Sequence, residues 1–136
     1  NFDIFLYIYD HALKNGIKLI GIVDQCIYGN IDILKYMYNN TTNEEKNNKG
    51  RSNVNSGLYH AMIRNHIEVV KFLFDNYDID LNIEDNCMLC YAGWSNIEIW
   101  KYLIKEKNIV VKKKIMNHAK KNNKDKYVAE FMSKYI

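Results

Sequence analysis

Asn65-His66-Ile67-Glu68-Val69-Val70-Lys71-Phe72-Leu73 decides the fold, because the chain writes it three times. Gly29-Asn30-Ile31-Asp32-Ile33-Leu34-Lys35-Tyr36-Met37 and Ser95-Asn96-Ile97-Glu98-Ile99-Trp100-Lys101-Tyr102-Leu103 follow the same plan. Each has a small or polar corner, an isoleucine anchor, an acid one residue on and a lysine four residues on. A fourth copy, Asn1-Phe2-Asp3-Ile4-Phe5-Leu6-Tyr7-Ile8, lies upstream with Leu6 in place of the lysine. The anchors Ile31, Ile67 and Ile97 are spaced by 30 to 36 residues. That period belongs to solenoids, in which each supersecondary unit covers its neighbour.

Within a copy the apolar residues fall at the anchor and two, three, five and six residues after it. That spacing predicts a helix with a broad buried stripe, with the acid and lysine on the solvated side. Tyr36 and Trp100 belong to the stripe and are predicted core residues. A second short apolar stretch precedes each full anchor, at 20–28, 58–64 and 88–94, so the unit is a helix–turn–helix pair. The predicted organisation is one domain over 1–136. It has a half repeat at 1–11, helix pairs at 19–38, 56–76 and 86–107, a divergent last pair at 113–135, and a long polar loop at 39–55 read as a solvated finger.

Residues 56–73, Ser56-Gly57-Leu58-Tyr59-His60-Ala61-Met62-Ile63-Arg64-Asn65-His66-Ile67-Glu68-Val69-Val70-Lys71-Phe72-Leu73, resemble the ankyrin repeat family at Leu58, Ala61, His66 to Val70 and Leu73. Asp80-Leu81-Asn82 is similar to the Asp-Val-Asn of that family's hairpin finger. The resemblance implies an all-α ankyrin-like solenoid with short hairpin or loop fingers, acting as a non-catalytic module that binds a protein partner on its concave face. It also gives His66 a structural place in the corner between helices. The family's Thr-Pro start is missing from every copy, and Ile20-Gly21, Ser56-Gly57 and Asn86-Cys87 stand there instead. A good N-cap is worth ~1 kcal/mol, so these first helices should start less firmly, with Ser56 and Asn86 as the remaining caps. The Asn-, Ile-, Lys- and Tyr-rich anchors look most like the divergent ankyrin arrays of giant viruses with AT-rich genomes.

The chain has 136 residues, 48% of them apolar, and no run long and apolar enough to span a membrane. Three cysteines, Cys26, Cys87 and Cys90, point to a reducing compartment, and the expected location is the cytoplasm, or a virion if the source is viral. Because the pattern starts and stops inside second helices, the segment is expected to be part of a longer array. Cys87-x-x-Cys90 has half a zinc spacing without a second pair, so these thiols read as buried small apolar groups and no metal is expected. Asp32, Glu68 and Glu98 recur by register and form a solvated face, not a catalytic pair. No phosphate loop, nucleophile elbow or carboxylate pair supports an enzyme, and no cofactor is expected.

Register also places the candidate contacts. In ankyrin-type arrays the residues four and three before each anchor point into the concave surface, here Ile27 and Tyr28, Ile63 and Arg64, Gly93 and Trp94. Tyr, Arg and Trp are the types enriched at interface hot spots. The expected partner-binding set is Tyr28, Ile63, Arg64 and Trp94, joined by the finger residues Asn55, Asn82, Glu84 and Asp85, with Ser52 and Asn53 beside them. Two alternatives come from other classes. One is a structural solenoid that self-associates through its end repeats. The other is a basic nucleic-acid-binding module using Lys112-Lys113-Lys114, Lys120-Lys121, Lys124 and Lys126, although their spacing follows the exposed side of a helix pair and they lack interleaved aromatics.

Overall fold

A computed structural model describes residues 2–16, 21–40, 50–79 and 97–110, together with positions 113, 114, 117, 121, 130, 131, 133 and 134. Among the described residues all regular structure is helical. α1 (Phe2–Lys14) is followed by α2 (Ile22–Tyr28), α3 (Ile31–Asn39), α4 (Gly50–Ile63), α5 (Ile67–Asn76) and α6 (Ile97–Lys101), which runs into a π-helical turn, Tyr102–Glu106. α2 and α4 are first helices and pack along each other, α3 and α5 fold back on them, and α6 reaches α5.

The corners between first and second helices repeat almost atom for atom. Gly29 and Asn65 occupy the left-handed region at φ 70° and 62°, which glycine enters freely and asparagine tolerates better than other side chains. The residues after them, Asn30 and His66, sit at φ −79°, ψ 75° and φ −82°, ψ 71°. Their N–H groups donate back to the carbonyls of Gln25 and Ala61, five residues earlier, at 3.1 and 2.9 Å. Ile31 and Ile67 then donate to the carbonyls of Gly29 and Asn65, closing an inverse γ-turn in each corner. These bonds satisfy the carbonyls that a helix end leaves open.

The core is one continuous cluster. Leu34, Val69, Val70, Leu73, Ile99, Trp100 and Leu103 from the second helices meet Cys26, Leu58, Ala61 and Met62 from the first. Trp100 is fully buried as expected, while Tyr36 is half-buried at the interface with α1. Asp32, Glu68 and Glu98 are exposed. Glu98 pairs with Lys101 at 2.8 Å, whereas Lys71 lies over the Tyr102 ring at 5.4 Å.

Neighbouring second helices are joined by an aromatic ladder. The ring five residues after one anchor meets, edge to face, the ring seven residues after the preceding anchor. Tyr36 meets Tyr9 at 5.8 Å, Phe72 meets Tyr38 at 5.6 Å and Tyr102 meets Phe74 at 5.9 Å between centroids. Such pairs contribute ~0.5–1.5 kcal/mol each beyond the area they bury. At the first rung Tyr36 Oη donates to Asp10 Oδ1 at 2.6 Å, and that bond, ahead of burial, raises the Tyr36 pKa.

Two elements depart from the sequence reading. α4 begins at Gly50, so the last part of the expected 39–55 loop is helical, and Ser56 lies in mid-helix instead of capping its start. Val54, Leu58, Ala61 and Met62 form an i, i+4, i+7, i+8 stripe that is buried throughout, and that burial carries the helix through a polar stretch of weak propensity. At the other end of the array, the π-helical turn allows three consecutive side chains, Tyr102, Leu103 and Ile104, to be buried. It also brings Lys107 over the rings of both Phe74 and Tyr102, within 3.3 Å of Asp75. Burial pulls the Lys107 pKa down, but Tyr102 and Asp75 together outweigh it and leave the pKa raised.

Candidate partner-binding face

The first helices carry the candidate face, and the corner residue His66 fixes their ends relative to one another. Its Nε2 lies 3.1 Å from the Ile27 carbonyl oxygen, so the ring N–H donates to one of the carbonyls that the end of α2 leaves without a helical partner. The same ring lies flat against Gly29, where an added Cβ would come within 2.6 Å of Nδ1. Glycine at position 29 therefore provides both the left-handed turn and the room for His66.

Tyr28 and Arg64 are the sequence neighbours of this contact, one residue before Gly29 and two before His66. Tyr28 closes α2 next to Gly29 and is 70% exposed. Arg64 follows the end of α4 and is also exposed, while Ile27 and Ile63, the residues just before Tyr28 and Arg64, are half-buried. The two register-equivalent positions thus present an aromatic and a guanidinium from adjacent helices on a rigid base. Tyr59, on α4, adds a half-buried ring in edge contact with His60 at 5.0 Å. A shallow cavity of about 210 Å³ opens beside the corner, lined by Gly29, Ile31, Asn65, His66, Ile67, Glu68 and Val69. It is smaller than the ~300–1,000 Å³ clefts that hold small organic ligands.

The expected finger contacts fare differently. Asn55 lies inside α4 and is half-buried, and Ser52 and Asn53 share that helix, so the three are not finger residues. The N-terminal extension of α4, which Val54 ties into the core, is what removes them. Trp94, Asn82, Glu84, Asp85 and Gly93, and the thiols of Cys87 and Cys90, lie outside the described residues. Cys26 is fully buried, and burial pushes its thiol up to about 12, so it stays protonated and unreactive at neutral pH. Among the described residues no three His, Cys, Asp or Glu side chains converge as metal ligands. Nor, among them, is any helix long and apolar enough to cross a membrane. Of the basic stretch, Lys113, Lys114 and Lys121 are exposed, and Lys112, Lys120, Lys124 and Lys126 lie outside the described residues.

The sequence reading did not register the aromatic ladder. Its signal was present as aromatic residues five and seven after the anchor, in Tyr7 and Tyr9, Tyr36 and Tyr38, Phe72 and Phe74, and in Tyr102 before Ile104.

A family model of ankyrin repeats, in three copies, matches residues 23–115. The chain belongs to the ankyrin repeat family. The match takes in both described corners and all three full anchors. Ankyrin repeats in general are protein-interaction modules and are typically non-catalytic. No curated protein and no solved structure matches the chain.

Proposed function

We propose that this chain is a non-catalytic ankyrin module that holds a protein partner on the face built by the ends of its first helices. Tyr28 and Arg64 are the anchors, with Ile63 beside them. The observation that carries the reading is the exposure of Tyr28: its ring stays 70% open although α2 packs along the length of α4. Arg64, at the equivalent position of the next repeat, is open as well. An aromatic and an arginine on rigid, adjacent helix ends are the residue types from which interface hot spots are made. Trp94, in the third repeat's equivalent position, extends the proposed row, and Asn82, Glu84 and Asp85 would border it from the finger. A cytoplasmic or virion setting, with the giant-virus likeness of the anchors, belongs to the same proposal.

The test is retention of a partner from an extract of the native source by the immobilised chain, with the Tyr28→Ala/Arg64→Ala variant alongside after circular dichroism shows equal helicity. Truncating a hot-spot residue costs about 2 kcal/mol or more, a loss of roughly 30-fold in affinity. The wild type is expected to retain a protein that the variant releases. Equal retention by both would remove Tyr28 and Arg64 from the interface.

A further inference from the structure

Asn15-Gly16 is the one Asn-Gly pair in the chain. It stands just past the end of α1, where Gly16 takes a left-handed turn at φ 64°. Both residues are exposed, as are Asn40, Asn65 and Asn108 at other helix ends, so the exposure belongs to the position. What differs is the residue that follows. Thr41, His66 and Ile109 carry a side chain beside the amide nitrogen, and Gly16 carries none. A Cβ placed on Gly16 would meet nothing within 4 Å, and no described residue accepts a hydrogen bond from the Gly16 N–H. The Asn15 carboxamide has one bond to give up among the described residues, the exposed one from Nδ2 to the His11 carbonyl oxygen at 2.6 Å.

We propose that Asn15 is a site of spontaneous, enzyme-free conversion to aspartate and isoaspartate in the folded chain, the chemistry that makes asparagine thermolabile. The Gly16 nitrogen attacks Cγ of Asn15. The N–Cγ bond forms, the Cγ–Nδ2 bond breaks, the Gly16 proton passes to a solvent base, and Nδ2 leaves as ammonia. Water then opens the five-membered imide. Addition at Cγ gives aspartate and addition at the main-chain carbonyl carbon gives isoaspartate, so one water is consumed for each ammonia released. The reaction does not wait for unfolding, because a terminal turn opens more easily than the core. Its product changes the helix end. A carboxylate has no proton to donate to the His11 carbonyl, and its charge opposes the negative end of the α1 dipole. Isoaspartate also adds a methylene to the main chain directly before the left-handed turn. Both products thus loosen the last turn of the helix that meets Tyr36 through Tyr9 and Asp10.

The test is to age the intact chain in mildly alkaline buffer, below its unfolding transition, and to map its peptides by mass spectrometry beside a sample unfolded in guanidinium chloride. Asn15 is expected to convert before any other asparagine of the folded sample, with isoaspartate recognised by its resistance to a protease that cuts at aspartate. Asn15→Gln, whose carboxamide stands one carbon too far for the five-membered ring, is expected to stay unmodified. In Asn15→Asp the amides of the last turn of α1 should exchange faster than in wild type, while those of α5 keep their rates. Asn15 left intact in the folded chain while the unfolded chain converts overturns the proposal, and means that the bond to His11 protects the site. Earlier conversion at Asn40, Asn65 or Asn108 overturns it too. Unchanged α1 exchange in Asn15→Asp overturns the loosening of the helix end.

Discussion

α1 and α5 are written in nearly the same register, yet their faces meet opposite fates. Two, five and six residues after its anchor, α5 carries Val69, Phe72 and Leu73, which are buried or half-buried, whereas α1 carries Ile4, Tyr7 and Ile8, all exposed. What α1 buries instead is Tyr9 and Ala12, on the side turned toward α3. An amphipathic pattern fixes that a helix has an apolar stripe. Which part of the stripe is covered depends on which neighbours exist, and in a stacked array those are the copies before and after.

The largest separation between the stacked interior and α1 should come from truncating a buried aromatic of the one and the exposed aromatic of the other. Trp100→Ala removes a fully buried indole from the far side of the α5 stack and is expected to cost about 3–5 kcal/mol in urea unfolding. Tyr7→Ala, at an exposed position, should stay within ~0.5 kcal/mol of wild type. Equal losses would mean that the two ends are not differently packed.

Glycine replacements sharpen the comparison at the corners. Gly16 and Gly29 both sit at positive φ, 64° and 70°, but only Gly29 has a neighbour within reach, the His66 ring. Gly16→Ala should cost about 1–2 kcal/mol, the backbone contribution alone. Gly29→Ala should cost clearly more, because His66 must also move and give up its bond to Ile27, worth ~1 kcal/mol. Matching values for the two would remove the corner contact from the account.

Alkaline pH acts on the interior, and on α1 through the bond that Tyr36 donates to Asp10. Burial raises Cys26 from its ordinary value of 9.0, and Tyr77 from 10.0, to about 12 in each case. Folding thus favours the protonated forms, so their contribution to stability is intact below the ordinary values and is lost as pH rises through 9 to 12. Circular dichroism against pH should show helicity lost over that window, with a shallower dependence in Cys26→Ala. A flat profile to pH 12 would contradict the burial of these groups.

Much of this was legible before any coordinates. The corner at Asn65-His66, the anchor at Ile67 and the wet acids are local properties of nine residues, and they recur, so the pattern corrects its own noise. Tyr28 and Arg64 were legible for the same reason, since exposure at the end of a first helix follows from register. The start of α4 was not, because Gly50 to Ser56 has no helical signature of its own and is held by the burial of Val54. The π-helical turn at Tyr102–Glu106 was hidden for a similar reason. It serves three buried side chains in a row, a demand set by the surrounding helices. The open face of α1 could not be read at all, because its residues match those of covered faces.

Native-state hydrogen exchange puts the central claim to its most direct test: burial in this array is set by the neighbouring copy. The account predicts that amides of α5 exchange only through global unfolding, while those of α1, whose stripe is exposed, open locally. Protection of α1 equal to that of α5 would contradict it.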